Sequence, residues 1–234
     1  MSIVKLHVIC EGQTELRFAS KVLCPYLIMK GILVLPQMLI TNRKLNARGG
    51  MLDFQQAKRD LQFMFRASVD SEQEIHYFTT MFDLYALPDD FPGFAEAMRL
   101  RDYEQVELLE TAFAREVSNF RFIPYIQLHE FESLVLCDID SLVEIYPNSS
   151  EELRALKVEL SQSYGDNMEL VDNGRETAPS KRIILALGKN YHYDKPKTGT
   201  EVTQKVGIDS LRMQCRHFDR WLQILESLSN SFEI

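Results

Sequence analysis

Three hydrophobic runs in this chain end in acidic residues. The runs HVICEGQTE, FTTMFD and YIQLHEFE carry Glu11 and Glu15, Asp83, and Glu130 and Glu132. If these runs are neighbouring parallel strands, their carboxyl ends lie along one edge of a sheet, where open α/β sheets bind ligands. Carboxylates brought together there repel one another unless they share protons or hold a cation such as Mg²⁺. The sequence therefore predicts a site for a divalent metal ion, Mg²⁺ or Mn²⁺.

The order of hydrophobic patterns predicts an α/β fold. Strand and helix patterns alternate at residues 3–10, 14–30, 32–41, 53–68, 74–83, 103–118 and 122–132. This β-α-β-α-β-α-β order predicts a mostly parallel sheet with helices on both faces. Beyond Cys137 the pattern is almost wholly helical. We therefore expect an α/β core over residues 1–137 and a helical C-terminal extension over residues 138–234, packed on the same domain.

The composition is that of an ordinary soluble protein, with 45% hydrophobic and 26% charged residues. The apolar start breaks at Glu11, which argues against a signal peptide, and no window approaches the ~20 apolar residues that span a bilayer. The four cysteines are widely spaced in the sequence, with no CxxC pair. This spacing argues against a zinc site or a disulfide scaffold. We expect a cytoplasmic protein that does not enter a membrane and whose cysteines are small buried hydrophobes.

The net charge of −8 is unlike that of most nucleic-acid-binding domains, which are basic. An acidic metal site contributes to this total, however, and bound cations would offset it locally. The basic residues form three clusters: Arg43, Lys44 and Arg48; Arg175, Lys181 and Arg182; Lys189, Lys195 and Lys197. Each cluster is either a solvated loop or a place where phosphate binds.

The segment EGQTE is the most specific short motif. Glu11 directly continues a buried strand, Gly12 permits a tight turn, and Thr14 is a candidate N-cap for the helix that follows. Glu15 then lies in the first helical turn, where the helix dipole favours a negative charge. A capped helix start explains Glu15 without any function. It does not explain Glu11, because an acid at the end of an apolar strand needs a partner.

The segment HEFES leaves two orientations open. In an extended backbone Glu130 and Glu132 would point to one face and Phe131 to the other. In a helix the two acids would point about 200° apart, and only one could serve the site. His129 is a candidate ligand, a candidate base or a hydrogen-bonded structural residue.

The segment APSKR places two cations at a helix start. Positive charge there opposes the helix dipole, so Lys181 or Arg182 is expected to reach an anion such as a phosphate. The alternative is a salt bridge to an acid such as Glu176. The later segment HYDKPKTGT is polar and long enough to be a mobile loop, in which Lys195 or Lys197 is a candidate phosphate contact. His217 and Trp221 have the spacing of packing residues.

The motifs EGQTE, RGG at residues 48–50, MFDLYALP, HEFES and APSKR resemble those of a bacterial Toprim-like family, domain of unknown function 4276. The resemblance spans nearly the whole chain. It implies a Toprim-like, Rossmann-like sheet that binds Mg²⁺ and acts on phosphodiesters. Glu11 matches the Toprim glutamate after the first strand, and Asp83 matches the first aspartate of the D-x-D pair. Tyr85 stands where the second aspartate is usual, so HEFES would have to supply a substitute ligand.

The resemblance implies a metal-dependent nuclease that acts in defence against phage beside an ABC-type ATPase. DNA or RNA would be its substrate, and a homodimer is compatible with the sequence. Its metal ligands would be Glu11, Glu15, Asp83, Glu130 and Glu132. Glu11, Asp83 and Lys181 would be catalytic, and Arg48, Lys181 and Arg182 would bind phosphate.

Two alternatives stay open. Tyr85 and the acidic net charge favour a degenerate Toprim-like subunit that regulates a partner ATPase without catalysis. The low overall basicity also suits an enzyme that acts on a small phosphoester.

Overall fold

The computed structural model describes residues 2–39, 53–172, 174 and 177–229. The strands are β1 (Ile3–Cys10), β2 (Ile32–Met38), β3 (Glu74–Asp83), β4 (Phe122–Ile123) and β5 (Ile126–Gln127). The helices of the first half are α1 (Gln13–Phe18), α2 (Cys24–Ile28), α3 (Phe54–Ala67), α4 (Phe94–Ala97) and α5 (Asp102–Val117). Those of the second half are α6 (Glu132–Val135), α7 (Ile139–Ile145), α8 (Ser150–Tyr164), α9 (Pro179–Leu187), α10 (Lys195–Gln214) and α11 (Arg216–Ser227).

The strands form a mostly parallel sheet in the order β2-β1-β3-β4, with β5 also paired to β3. β1 lies between β2 and β3 and pairs with both in parallel. β2 carries Pro36 at the edge of the described sheet, as its missing N–H predicts. The predicted α/β architecture is therefore confirmed.

Both faces of the sheet are covered because β1 is apolar on both sides. Leu6 and Val8 belong to one hydrophobic cluster, which contains residues of α1, α2 and the C-terminal helices. Ile9 points to the opposite face and joins Phe54 and Phe113, which lie on α3 and α5. This alternation follows from the two-residue period of a strand.

The C-terminal helices pack directly on the sheet. Trp221 stacks on Tyr125 at 4.2 Å between ring centroids, and its Nε1 donates a 2.8 Å hydrogen bond to the hydroxyl of Thr79 on β3. His217 is buried and also stacks on Tyr125. The prediction that His217 and Trp221 are packing residues is confirmed. The boundary at residue 137 stays a prediction.

One local prediction was wrong, and three were right only in part. HYDKPKTGT is not a loop throughout, because α10 begins at Lys195 and its N-cap Asp194 accepts a hydrogen bond from the N–H of Lys197. The helix predicted at residues 14–30 is interrupted by a π-helical turn at Ala19–Leu23. The strand-to-turn passage predicted at residues 122–132 contains two short strands, β4 and β5, before the turn at His129. Cys10 and Cys215 are buried as predicted, whereas Cys24 and Cys137 are only partly buried, and the Sγ atoms of Cys137 and Cys215 lie 3.4 Å apart.

None of the described helices is long and apolar enough to span a membrane.

Candidate metal centre at the carboxyl edge of the sheet

Glu11 and Asp83 meet at the ends of the two central strands. β1 and β3 are in register so that Cys10 lies opposite Met81, and the two acids follow this pair. The N–H of Glu11 donates to the carbonyl of Met81, and the N–H of Asp83 donates a 3.2 Å hydrogen bond to Oε2 of Glu11. The sheet therefore positions the first two predicted acids as neighbours.

Glu15 is fixed at the start of α1. Gly12, and not Thr14, is the N-cap, and its N–H donates a 2.9 Å hydrogen bond to Oε2 of Glu15. This is the glutamate half of a capping box. Glu15 is only 7% exposed, so the carboxyl group that stabilises the helix start is also buried at the strand ends.

The segment HEFES turns sharply after β5. His129 has a left-handed backbone, with φ of +65°, and α6 begins at Glu132. Both acids are buried: Oε2 of Glu130 accepts the N–H of Ser180 at 2.9 Å, and Oε2 of Glu132 lies 3.2 Å from Nζ of Lys195. The backbone of HEFES is therefore neither a regular strand nor a regular helix, and the side chains of Glu130 and Glu132 are both buried.

The negative charges of the four predicted glutamates all act on Asp83. The pKa of Asp83 is raised well above its usual range, first by burial and then by neighbouring negative charges. In decreasing order of effect, these neighbours are Glu15, Glu11, Glu132 and Glu130. Such effects fall off with distance, so the five acids form one group, which we call the carboxylate cluster.

Two buried oxygens of the cluster have no hydrogen-bond partner among the described residues. They are Oδ1 of Asp83 and Oε1 of Glu132. Burial raises the pKa of Glu132 to about 7, against the opposing charge of Lys195. Burial also raises the pKa of Glu15. Because an ionised oxygen without a partner is costly in the interior, these atoms need either a proton or a cation.

Lys195, the first residue of α10, and Tyr193, two residues before it, reach the cluster. The sequence had offered Lys195 only as a candidate phosphate contact and had not singled out Tyr193. Burial alone would lower the pKa of Lys195, but the charges of Glu132 and Glu130 outweigh it and raise the pKa. The buried hydroxyl of Tyr193 has no hydrogen-bond partner in the described part of the chain. Its pKa is raised well above the usual range by burial and then by Glu132.

His129 lies beside the cluster in a buried and strained position. Neither ring nitrogen makes a hydrogen bond to the described residues, and Nε2 lies 3.8 Å from Oδ1 of Asp102. Asp102 also has a positive φ, of +51°, which is uncommon for a residue other than glycine. Burial lowers the pKa of His129, although the charge of Asp102 opposes this. The neutral imidazole is therefore the favoured form.

The predicted phosphate-binding residues are less closely tied to the cluster. Lys181 is exposed on the first turn of α9, one residue after Ser180. Arg182 forms a 2.6 Å ion pair with Glu159 and donates to the carbonyl of Thr177. Arg48 lies outside the described residues. Their roles toward phosphate stay predictions.

Tyr85, two residues after Asp83, points to solvent and is 56% exposed. Its N–H donates to the carbonyl of His129. The residue therefore links the end of β3 to HEFES through its main chain only.

The cluster has the donor chemistry of a hard divalent cation, because all five acids offer oxygen atoms. As the side chains stand, no three His, Cys, Asp or Glu residues of the described ranges are arranged to hold a metal ion. Mutual repulsion of the carboxylates favours such separation when no cation is bound. The buried oxygens of Asp83 and Glu132 fit a cation chemically, and ligation would require side-chain rotation.

A mostly parallel sheet flanked by helices, with buried acids at its carboxyl edge, defines an α/β protein with a carboxylate site at the strand ends. The chain belongs to the family described as Domain of unknown function (DUF4276), which matches residues 10–226. The match includes all five acids of the cluster. No curated protein and no solved structure matches the chain.

Proposed function

We propose that this protein is a Mg²⁺- or Mn²⁺-dependent nuclease that hydrolyses phosphodiester bonds of DNA or RNA. The observation that supports this most is Oδ1 of Asp83, a buried oxygen without a partner among the described residues, in a carboxyl group whose pKa is raised by burial and by the charges of four glutamates. Acids without a function seldom gather in this way, because each added charge raises the free energy of the others.

Glu11, Asp83 and Glu132 would hold the metal, since the first two are joined at the strand ends and the third has a buried oxygen without a partner in the described chain. A bound divalent ion would activate water and stabilise negative charge on the phosphoryl oxygens. His129, neutral and adjacent to Glu130 in the chain, is the candidate base, and its Nε2 faces Asp102 in this structure. Glu15 and Glu130 would position the site without binding the metal. Glu15 is held at the start of α1 by the N–H of Gly12, and Glu130 is held by the N–H of Ser180.

A cleavage assay tests the proposal. Purified wild-type protein is incubated with Mn²⁺ or Mg²⁺ and with single- and double-stranded DNA and RNA. Glu11→Gln is the test variant, because a glutamine oxygen can still accept the N–H of Asp83 while the negative charge is lost. Glu96→Gln, an exposed site on α4, is the matched control.

We expect metal-dependent cleavage by wild type and by Glu96→Gln, with a loss of at least about 100-fold in Glu11→Gln, as for removal of a major electrostatic contribution. Equal activity of wild type and Glu11→Gln on every substrate contradicts the proposal. Activity that survives a chelating agent contradicts it as well.

A second candidate function is a non-catalytic subunit that regulates a partner ATPase. The exposed Tyr85 favours it, because one usual Toprim ligand is then missing. It predicts that Mn²⁺ does not raise the melting temperature, whereas a metal site stabilises the folded state by mass action. A role in phage defence with an ABC-type ATPase belongs to either candidate and rests on the Toprim resemblance.

A further inference from the structure

Lys195 directly contacts a buried carboxyl group of the carboxylate cluster. Its Nζ lies 3.2 Å from Oε2 of Glu132, whose side chain is 2% exposed. The side chain of Lys195 is itself 42% exposed, so the ammonium group touches the cluster on one side and solvent on the other. A lysine at such a boundary can exchange one anionic partner for another without crossing the protein interior.

The charge of Lys195 acts on more than one member of the cluster. It opposes the effect of burial on the pKa of both Glu132 and Glu15, and its own pKa is raised by Glu132, Glu130 and Asp83. These reciprocal effects mean that Lys195 neutralises part of the cluster charge when no divalent ion is bound. A divalent ion at the same carboxylates would compete with the ammonium group for them.

The main chain holds the start of α10 firmly at this place. Asp194 caps the helix, and Gly199 lies so close to α1 and the HEFES turn that an added Cβ would be 3.1 Å from Cε1 of Phe131 and 3.4 Å from Cγ2 of Thr14. When a divalent ion displaces the ammonium group, Lys195 therefore stays beside the site. The displaced cation is then available for an anion that contacts the metal.

We propose that Lys195 is the counter-ion of the metal-free carboxylate cluster and becomes a phosphate-binding residue when a divalent ion displaces it. This inference rests on the proposed function, because it takes the phosphate of the substrate as the second partner. It assigns the phosphate contact at the cluster to Lys195, which the sequence offered only as a candidate beside Arg48, Lys181 and Arg182. It also explains why a lysine lies against a buried glutamate at the edge of an acidic site.

Titration calorimetry with Mn²⁺ tests the first half. The variants are Lys195→Met and Lys195→Gln. Glutamine can still donate a hydrogen bond to Glu132, so the second variant keeps the test valid if Lys195→Met does not fold. Lys21→Met, an exposed lysine in the π-helical turn, controls for the change in net charge. We expect both Lys195 variants to bind Mn²⁺ about tenfold more tightly than wild type, because the competing cation is gone. Lys21→Met should stay within about twofold, because exposed charges at a distance are screened.

Titration with inorganic phosphate in saturating Mg²⁺ tests the second half. We expect phosphate to bind the Mg²⁺-loaded wild type and to bind either Lys195 variant about tenfold more weakly, a loss typical of one charge-assisted contact. Unchanged or weaker Mn²⁺ affinity in both Lys195 variants overturns the counter-ion role, and unchanged phosphate affinity overturns the phosphate role. Failure of wild type to bind Mn²⁺ overturns this inference and the nuclease proposal together. Binding as expected without cleavage of any substrate leaves the role of Lys195 standing and removes only the nuclease.

Discussion

The N–H of Asp83 donates a 3.2 Å hydrogen bond to Oε2 of Glu11, which joins the ends of the two central strands through an acidic side chain. The parallel register of β1 and β3 makes this contact possible, and burial together with the neighbouring negative charges makes it costly for Asp83 to be ionised. Negative charge at this pair therefore lowers the stability of the metal-free protein, and the same charge raises its affinity for a metal ion.

Replacing Asp83 with asparagine should stabilise the metal-free protein at pH 8. The amide has nearly the same shape and carries no charge, so the repulsion from the four glutamates disappears. We expect the free energy of unfolding to rise by about 1–3 kcal/mol, the usual range for relief of an uncompensated buried polar group. Urea denaturation in a chelating agent measures it, with the exposed Asp89→Asn as control. Lower stability of Asp83→Asn would show that Asp83 is already compensated without metal.

Replacing Gly199 with alanine should lower both the stability of the protein and its affinity for Mn²⁺, through the packing of α10. The new Cβ would crowd Phe131 and Thr14, and this cost of about 1–3 kcal/mol exceeds the ~1 kcal/mol that alanine contributes to helix propensity. We expect a modest net loss of stability and weaker Mn²⁺ binding, because the start of α10 positions Lys195 and Tyr193. Thermal unfolding with and without Mn²⁺ measures both effects, and Glu201→Ala on the exposed face of the same helix is the control. A stabilised Gly199→Ala protein would mean that the contact relaxes freely.

Glu169 should contribute strongly to the stability of the fold, although it lies outside the carboxylate cluster. Its carboxylate is buried and accepts the N–H groups of His217 and Phe218 at 2.7 and 2.9 Å, at the start of α11. Glu169→Ala leaves both donors buried without an acceptor, so we expect a loss of about 2–4 kcal/mol. Urea denaturation measures the loss against Glu152→Ala, an exposed residue on α8. A change below about 0.5 kcal/mol would show that water or another group takes over the two donors.

The low pKa of the buried His7 should make the stability of the protein fall as the solution becomes mildly acidic. Its Nε2 lies 2.9 Å from Nδ1 of His76, and burial, followed by the charge of His76, lowers the pKa of His7 to about 4. Between pH 6.5 and 4 the unfolded chain therefore binds a proton at His7 that the folded protein does not, so stability falls as the pH falls through this window. Thermal unfolding from pH 7 to pH 4.5 should show a shallower decline in His7→Gln. The exposed His192→Gln should follow wild type, and equal slopes for all three proteins would exclude this role of His7.

The acids of the site were predictable because their position follows from local rules. Glu11 and Asp83 each end an apolar run, and parallel strands bring such ends to one edge of the sheet. The burial of both Glu130 and Glu132 was not predictable, since it depends on the left-handed turn at His129. That turn is held by contacts to the distant residues Ser180 and Lys195 rather than by a local pattern.

The cationic side of the site was harder to predict than the acidic side. HYDKPKTGT is polar and contains both proline and glycine, which usually mark a loop. In the structure Pro196 lies in the first turn of α10, where proline is tolerated, and Gly199 permits a close helix contact. The placement of Lys195 thus depends on tertiary packing, which a reading of local composition does not contain.

The central claim is that the carboxylate cluster binds a divalent metal ion. The most direct measurement is titration calorimetry of Mn²⁺ into wild type, Asp83→Asn and Asp89→Asn at pH 8, with folding checked by circular dichroism. We predict saturable binding to wild type and to Asp89→Asn, and a loss of affinity of at least about tenfold in Asp83→Asn, equivalent to about 1.4 kcal/mol. Equal Mn²⁺ binding by folded wild type and folded Asp83→Asn, or none by wild type, would contradict the account.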